Sequence, residues 1–448
     1  MIKVITYGTY DLLHHGHIRL LERAKALGDY LIVGVTSDDF DRDRGKINIR
    51  QSLIERVEAV KATGLADEIV VEEYEGQKID DIRRLGVDIF TVGSDWKGKF
   101  DYLKEYCEVV YLERTEGVSS TQIRSEEKQV RLGFIGDASK AEFCKYIKEC
   151  SCVNGISVSG IAVENIPQKA DELEKYQCFD NYQTLLEQCD AVYIASGISK
   201  RYGQIKYALQ NGKHVLCKSP IAMTVEECEE LYALAQSKGL MLMDSIKTAY
   251  ATAYNRLQLL TKGGRIGEIL SVDVTCTSMR ELKIDKHNQK SMWNSITSWG
   301  PVGMLPVFQL LGTEYKDIVI TSKMDNEVTD FDIFTKIDFT YKNAVATVSV
   351  GKGYKSEGEL IISGTQGYIY VPAPWWKTDY FELRFEQMEE NKRYFYQLDG
   401  EGIRYELVAF VRSIREKKIL GYVDKAISMG IVDVIEKFNK REHMKFIE

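Results

Sequence analysis

Two successive rounds of strand, glycine turn and amphipathic helix predict an α/β protein. A Rossmann-like domain is fused to a second Rossmann domain, which is followed by an open, mainly antiparallel α+β domain. The first round opens at residues 3–6, a strand, and continues with apolar residues at helical spacing over 12–27. The second opens at 130–135, after the charged stretch Ser125-Glu126-Glu127-Lys128. The third observation is a change of character after Thr248. Alternating apolar strands over 269–277, 331–339, 344–350 and 360–363 replace the continuous apolar runs, the pattern of a sheet with one buried face.

Within the first part, 30–36 (YLIVGVT) is an apolar run of buried parallel-strand type, and further strands fall at 68–71, 89–92 and 109–112. The second part continues its sheet at 156–163, 191–195 and 214–217, and helices close the chain over 406–418 and 426–439. The expected domains are 1–127, 128–248 and 249–448, the last with its C-terminal helices packing back.

The bulk numbers narrow the function. Of 448 residues, 44% are hydrophobic and 28% charged, enough for real cores. A net charge of −8 argues against nucleic acid as a partner, so any phosphate site must be local. The nine cysteines form no CxxC pair and no His/Cys cluster, as expected of reduced packing thiols in a cytoplasmic protein with no metal site of its own. No apolar run approaches the ~18 residues of a membrane span.

The segment Gly8-Thr9-Tyr10-Asp11-Leu12-Leu13-His14-His15-Gly16-His17 is the most informative. A strand ends at a glycine turn and a helix starts close to His17. His14 and His17, three apart, share a face of that helix. Free N–H groups at a helix N-terminus and two imidazole donors suit a polyphosphate, with Gly16 leaving room. Two further segments follow strand ends, where open α/β sheets bind ligands: Gly93-Ser94-Asp95-Trp96-Lys97-Gly98-Lys99-Phe100-Asp101 and Arg114-Thr115-Glu116-Gly117-Val118-Ser119-Ser120-Thr121. Arg44 and Lys46 stand in a polar loop.

These strings resemble the glycerol-3-phosphate cytidylyltransferases, within the H-x-G-H nucleotidyltransferases, from Lys3 to about Ile123. The resemblance implies that His14 and His17 bind the triphosphate and stabilise the pentavalent phosphorus. Lys46, with Arg44, would neutralise phosphate oxygens. Arg114, Ser119 and Thr121 would grip the β- and γ-phosphates. Thr9, Tyr10 and Asp11 would shape the CTP pocket with Asp95 and Trp96, and Gly8, Gly16 and Thr115 belong to the same set. Mg2+ would ride mainly on the CTP phosphates. Two departures stand out. Ser119-Ser120-Thr121 replaces the family's serine-threonine-threonine, and Gly64 falls where the family often carries an arginine, which bears on the acceptor's identity.

The second strand–glycine–helix unit reads Gly133-Phe134-Ile135-Gly136-Asp137-Ala138-Ser139, a G-x-G-x-x-G/A fingerprint with Ala138 in place of its second glycine. Glu164 stands at a later strand end, where it can accept from a ribose diol, and Ser196 ends another strand. With Gly212-Lys213-His214-Val215-Leu216-Cys217-Lys218-Ser219-Pro220 and Gly364-Thr365-Gln366-Gly367, this half resembles the Gfo/Idh/MocA oxidoreductases over about Val130 to Asn439. That resemblance implies NADPH or NADH, held by Gly133, Gly136, Ala138, Ser139, Glu164 and Ser196, and a homo-oligomer. The family's Glu-Lys-Pro reads Lys218-Ser219-Pro220 here, and its later Asp and His fall near Ser298 and residues 302–305, none of them acidic or imidazole. Carbonyl reduction needs a proton donor. Lys247 is the first candidate and Lys218 the second, with Tyr250 and His287 weaker. Trp375 and Trp376 line a sugar pocket or serve as packing aromatics.

The expected function is therefore bifunctional: reduction of a keto-sugar phosphate to an alditol phosphate, then cytidylyl transfer to that product with release of pyrophosphate, in the setting of capsule or teichoic-acid biosynthesis. Two alternatives stay open: a C-terminal binding module without redox work, and a reductase acting on the CDP-linked product.

Overall fold

The structure, a computed structural model, describes residues 1–37, 40–41, 51, 53–74, 76–113, 129–137, 141–153, 155–163, 173, 175–279, 294–325, 331–396 and 398–448. The chain divides into two compact units, Met1–Gln129 with Val153–Gly155, and Val130–Cys152 with Ile156–Glu448.

In the first unit, five parallel strands, β1 (Lys3–Gly8), β2 (Tyr30–Thr36), β3 (Glu68–Glu72), β4 (Ile89–Gly93) and β5 (Glu108–Leu112), lie in the order β3-β2-β1-β4-β5. Helices on both faces explain the unbroken apolar runs. Val4, Leu31 and Val33 pack to one side with Leu21, while Ile5, Ile32 and Phe90 pack to the other with Ile82. The helix expected from residue 12 begins at His15 and runs His15–Lys25. Leu12 stands at φ 49° and Tyr10 at φ 54°, conformations no helix admits, so the turn consumes three more residues than apolar spacing suggests.

The second unit begins with another parallel sheet, β6 (Val130–Gly136), β7 (Ile156–Val163), β8 (Ala191–Ala195), β9 (His214–Lys218) and β10 (Leu242–Ser245), ordered β10-β9-β8-β6-β7. Then comes a ten-stranded sheet of β11 (Ile269–Met279), β12 (Asp317–Met324), β13 (Asp332–Thr340), β14 (Val345–Gly351), β15 (Gly353–Tyr354), β16 (Leu360–Gly364), β17 (Tyr368–Val371), β18 (Tyr380–Arg384), β19 (Lys392–Phe395) and β20 (Met444–Phe446). Its order is β19-β18-β17-β16-β11-β14-β13-β12-β20, with β15 on β11. It is antiparallel apart from the β11/β14 and β12/β20 pairs, which makes it a mixed sheet. The apolar helix Ser295–Leu311 lies against it. Gly303 allows the close approach, since a Cβ there would stand 2.7 Å from a Val348 methyl.

The two closing helices, Ile403–Glu416 and Lys425–Asn439, return to the parallel sheet's helices. Tyr146 donates to Glu406 at 2.6 Å, and Tyr232 and Ser428 meet at 2.9 Å. All nine cysteines are free. No helix among the described residues is long and apolar enough to cross a membrane.

Gly34, in mid-strand, is set by the ring of Tyr7 on β1, which a Cβ would meet at 2.1 Å. Gly34→Ala should cost about 1–3 kcal/mol through overpacking, read as a lower denaturation midpoint of the first unit.

Candidate functional site

In the first unit strand order reverses between β1 and β4, and the chain leaves their C-terminal ends in opposite directions. The strand ends Gly8 and Gly93 therefore flank one crevice. Gly8 is required because the buried Tyr10 ring folds back onto it, and a Cβ would stand 2.9 Å from Tyr10 Cζ. The same ring meets His17 edge-on, with centroids 5.5 Å apart.

His14 and His17 close the helix start reciprocally. His14 Nδ1 accepts from the Gly16 N–H at 3.1 Å, and His17 Nδ1 accepts from the His14 N–H at 3.5 Å. The rings stack 3.9 Å apart at 17°. This is a capping box in which imidazoles replace the usual serine and glutamate. Because each Nδ1 accepts, the neutral ring carries its proton on Nε2. Two Nε2 donors side by side at a helix N-terminus can address adjacent oxygens of a polyphosphate.

Thr9 and Asp11 are held from below. The Thr9 hydroxyl donates to Asp41 at 2.9 Å. Asp11 accepts from the Gln51 N–H at 3.0 Å, and the Gln51 side chain accepts from the Leu12 N–H at 2.7 Å. Behind them stands Arg56, fully buried, which donates to the carbonyls of Thr9 (2.7 Å), Thr36 (2.8 Å) and Gln51 (3.2 Å) and pairs with Asp41 at 3.4 Å. Nothing in the sequence marks Arg56 or Asp41. Lys78 is equally unmarked: it is buried against Glu72 and lies 4.7 Å over the Tyr7 ring.

Asp95 and Trp96 form the short 3-10 turn Ser94–Trp96 directly after β4. Asp95 is exposed, and Trp96 packs on Phe100 with Lys99 5.0 Å over its ring. Arg44, Lys46, Arg114, Thr115, Ser119 and Thr121 lie outside the described residues.

In the second unit the reversal falls between β6 and β8, with Gly136 opposite Ala195. The crevice is thus flanked by Gly136 on one side and Ser196 on the other. A Cβ on Gly136 would press on the Ala195 backbone at 3.1 Å and on Phe143 at 3.1 Å, and one on Gly133 would meet Leu185 at 3.0 Å. These glycines serve the close strand–helix packing that a dinucleotide fold needs, and the placement fits such a cofactor. Ala138, Ser139, Glu164 and His287 lie outside the described residues.

β10 pairs in parallel with β9, so Ser245 stands beside Lys218. Ser219 is buried, whereas Lys218 is partly exposed. Arg201, fully buried, holds this corner by donating to the carbonyls of Ser196 (3.0 Å), Lys218 (2.7 Å) and Pro220 (2.8 Å). The Ser219–Pro220 bond is cis. Lys247 opens the turn Lys247–Tyr250 and is bound by Glu401 at 2.8 Å. Tyr250 is buried. Trp375 is core, its indole N–H donating to the Thr275 carbonyl at 3.1 Å, whereas Trp376 is partly exposed beside Trp299.

Beneath Lys247, Tyr146, Ser245 and Glu406 form a closed triangle of 2.6, 2.8 and 2.9 Å. Burial pushes the Glu406 carboxyl up to about 8, against the hydrogen bonds of Tyr146 and Ser245. Burial likewise raises Asp244 to about 6.

The comparisons with known proteins follow this division. Residues 5–126 match the cytidylyltransferase-like family model, and residues 130–245 match the oxidoreductase family model with the NAD-binding Rossmann fold. The glycerol-3-phosphate cytidylyltransferase of Bacillus spizizenii is 52% identical over 126 residues, 28% of this chain and 97% of the relative. The Staphylococcus aureus enzyme is 47% identical over 131 residues, 28% of this chain and 95% of its own length. The chain belongs to the cytidylyltransferase-like family and carries a Gfo/Idh/MocA oxidoreductase domain behind it. It is thus an enzyme that joins a nucleotidyltransferase to an oxidoreductase-family partner. The cytidylyltransferase match stops short of β6, so everything from there on is additional to those relatives. For that part, a 3-ketoreductase from Actinomadura kijaniata, crystallised with NADP and TDP-benzene, shares the fold. Its TM-score is 0.63 at 16% identity, covering 71% of this chain and all of that one. A UDP-N-acetylglucosamine 3-dehydrogenase from Acidithiobacillus ferrooxidans aligns at a TM-score of 0.57 and 17% identity, covering 70% of this chain and 98% of that one.

Arg56→Met should deprive the buried Asp41 carboxylate of its cation and three carbonyls of their donor. We expect a loss of about 3–5 kcal/mol in the first unit by chemical denaturation. Glu406 gives a second expectation. Folding favours its protonated form, so this contribution to stability is complete below its ordinary value of 4.5, declines as pH rises, and is lost above about 8. Glu406→Gln should flatten the fall in melting temperature across that window relative to wild type, measured by differential scanning calorimetry at a series of pH values.

Proposed function

We propose that the first unit transfers a cytidylyl group from CTP to an alditol phosphate of the glycerol, ribitol or hexitol type, releasing pyrophosphate. We further propose that the second unit supplies that acceptor by reducing a keto-sugar phosphate with NADPH or NADH. The observation that carries the first half is the histidine pair, capped through Nδ1 and so left with Nε2 donors at a helix N-terminus. Transfer of this kind asks little covalent work of the protein; alignment and charge stabilisation suffice. Arg44, Lys46, Arg114, Thr115, Ser119 and Thr121 complete the phosphate grip in this reading, and magnesium comes with the triphosphate.

The second half rests on the switch-point crevice between Gly136 and Ser196 and on the neighbouring β9 and β10. Lys218 at the end of β9 and Lys247 just after β10 stand at the same C-terminal edge of the sheet and would serve as proton donors for the nascent alkoxide. The setting is polymer biosynthesis from CDP-alditols, in the cytoplasm, by a homo-oligomer, with a boundary near Lys128 at which the units work independently. A second reading is favoured by the ion pair that engages Lys247: a module that binds a dinucleotide or a sugar phosphate without redox work.

One assay tests both halves. The protein is incubated with CTP, NADPH or NADH and a panel of keto-sugar and alditol phosphates, while pyrophosphate and nicotinamide absorbance are followed together. His17→Ala should lose about 2–4 kcal/mol of transition-state stabilisation in pyrophosphate release, with reduction untouched. Near-wild-type release in that variant would misplace the site. Lys247→Met and Lys218→Met should each depress reduction and leave cytidylyl transfer intact. If the wild type oxidises neither nicotinamide with any member of the panel, the binding-module reading replaces the reductase.

A further inference from the structure

The second unit gathers three lysines from three separate elements around one carboxylate. Glu401 Oε1 accepts from Lys145 at 2.7 Å and from Lys377 at 2.9 Å, and its Oε2 accepts from Lys247 at 2.8 Å. Lys145 comes from the helix Ala141–Cys150, Lys247 from the turn after β10, and Lys377 from the turn Trp375–Lys377. One carboxylate cannot neutralise three ammonium groups, so the cluster keeps an excess of two positive charges. The neighbouring Glu149 does not redress this, because its charge goes to Arg404 at 3.1 Å.

Glu401 is an unusual occupant. It stands at φ 56° between Gly400 at 60° and Gly402 at 87°, a run in which a side-chain-bearing residue is strained. The turn is also tight. A Cβ on Gly402 would stand 2.5 Å from the Lys247 carbonyl oxygen, and one on Gly400 2.2 Å from Glu149. Although burial raises the Glu401 carboxyl, the three lysine hydrogen bonds outweigh it and hold the group far below the ordinary range. The cluster remains reachable, since Lys145 and Lys377 are substantially exposed.

We propose that Lys145, Lys247 and Lys377 form a binding site for the phosphate monoester of a sugar or polyol, and that Glu401 fills it as an internal stand-in until the ligand arrives. A phosphate monoester brings nearly two negative charges and three terminal oxygens, one for each ammonium, where Glu401 brings one charge and two oxygens. The sugar body has a surface next to it. The Thr248 hydroxyl donates to the Trp376 carbonyl at 3.1 Å, so Lys247 and Lys377 both border Trp376, whose ring meets Trp299 at 4.8 Å. Displaced, Glu401 gives up its strained turn. The sugar part of this proposal rests on the reductase reading; the anion site follows from the lysines alone.

The test uses the full chain at saturating CTP, so that the phosphate sites of the first unit are filled, and calorimetric titration with ribulose 5-phosphate and with ribulose. Glu401→Gln should bind the phosphate ester at least about threefold tighter than wild type, the scale of a partly exposed ion pair. Lys377→Met, at the more exposed rim, should weaken it by a similar factor in either background, and ribulose should bind none of the variants measurably. An affinity in Glu401→Gln equal to or below wild type overturns the proposal. So does indifference to Lys377→Met in a variant whose melting curve is intact, or equal binding of ribulose. The titration contains no nicotinamide. Binding as expected without any reduction in the coupled assay keeps the site and removes the reductase reading. Reduction insensitive to both substitutions does the reverse.

Discussion

A buried guanidinium tying strand ends together is the constraint on which both candidate sites rest. A parallel sheet leaves the carbonyls beyond its C-terminal edge without ladder partners, and they must be satisfied there or face water. Arg56 does this in the first unit for Thr9, Thr36 and Gln51. Arg201 does it in the second for Ser196, Lys218 and Pro220. In each case a cation with five planar donors spans two neighbouring strand ends and fixes the distance between the loops they feed. Each clamp thus fixes one flank of the crevice at the strand-order reversal, the β1 side in the first unit and the β8 side in the second. In the first unit the clamp also holds the Thr9 carbonyl, at the start of the turn that carries Tyr10 and Leu12 at positive φ.

The two units use that clamp differently. In the first, the chain beyond β1 turns into a helix whose cap is made of the two histidines proposed to meet the triphosphate, so the cap and the proposed site share atoms. In the second, Lys218 ends β9 and Lys247 opens the turn after β10, and the returning C-terminal segment brings Glu401 to Lys247 and Glu406 to Ser245. These carboxylates come from far along the chain, and they behave oppositely. Glu401, surrounded by ammonium groups, stays ionised, whereas Glu406, surrounded by hydroxyls and apolar atoms, is pushed toward its neutral form. Two acids five residues apart thus hold different charge for reasons of environment alone.

Much of this fold could be read from residue order. The strands Tyr30–Thr36 and Ala191–Ala195 end where their apolar runs end, because a strand covered on both faces must be apolar along its whole length. The helix after β1 was less legible. Leu12 continues the apolar spacing, but its backbone belongs to the turn, and spacing carries no information about φ. The histidines were legible because their order and their distance from a glycine turn are local. Arg56, Arg201 and Glu401 were not. A buried charge is defined by its partners, and those of Glu401 lie 256, 154 and 24 residues away. The one local hint was a glutamate between two glycines, a pattern that predicts a turn and says nothing of what the glutamate touches.

The histidine cap also limits how this site can drift. Each ring holds the helix start with one nitrogen and keeps its proton on the other, so each position carries two obligations at once. An asparagine could accept from the backbone as a cap does, but its short amide offers no donor at the far end of a ring. A lysine could reach outward with charge but cannot accept, and would undo the helix that positions it. Only a flat side chain with an acceptor and a donor on opposite edges meets both demands. The pair is therefore locked by architecture before any demand of catalysis is counted.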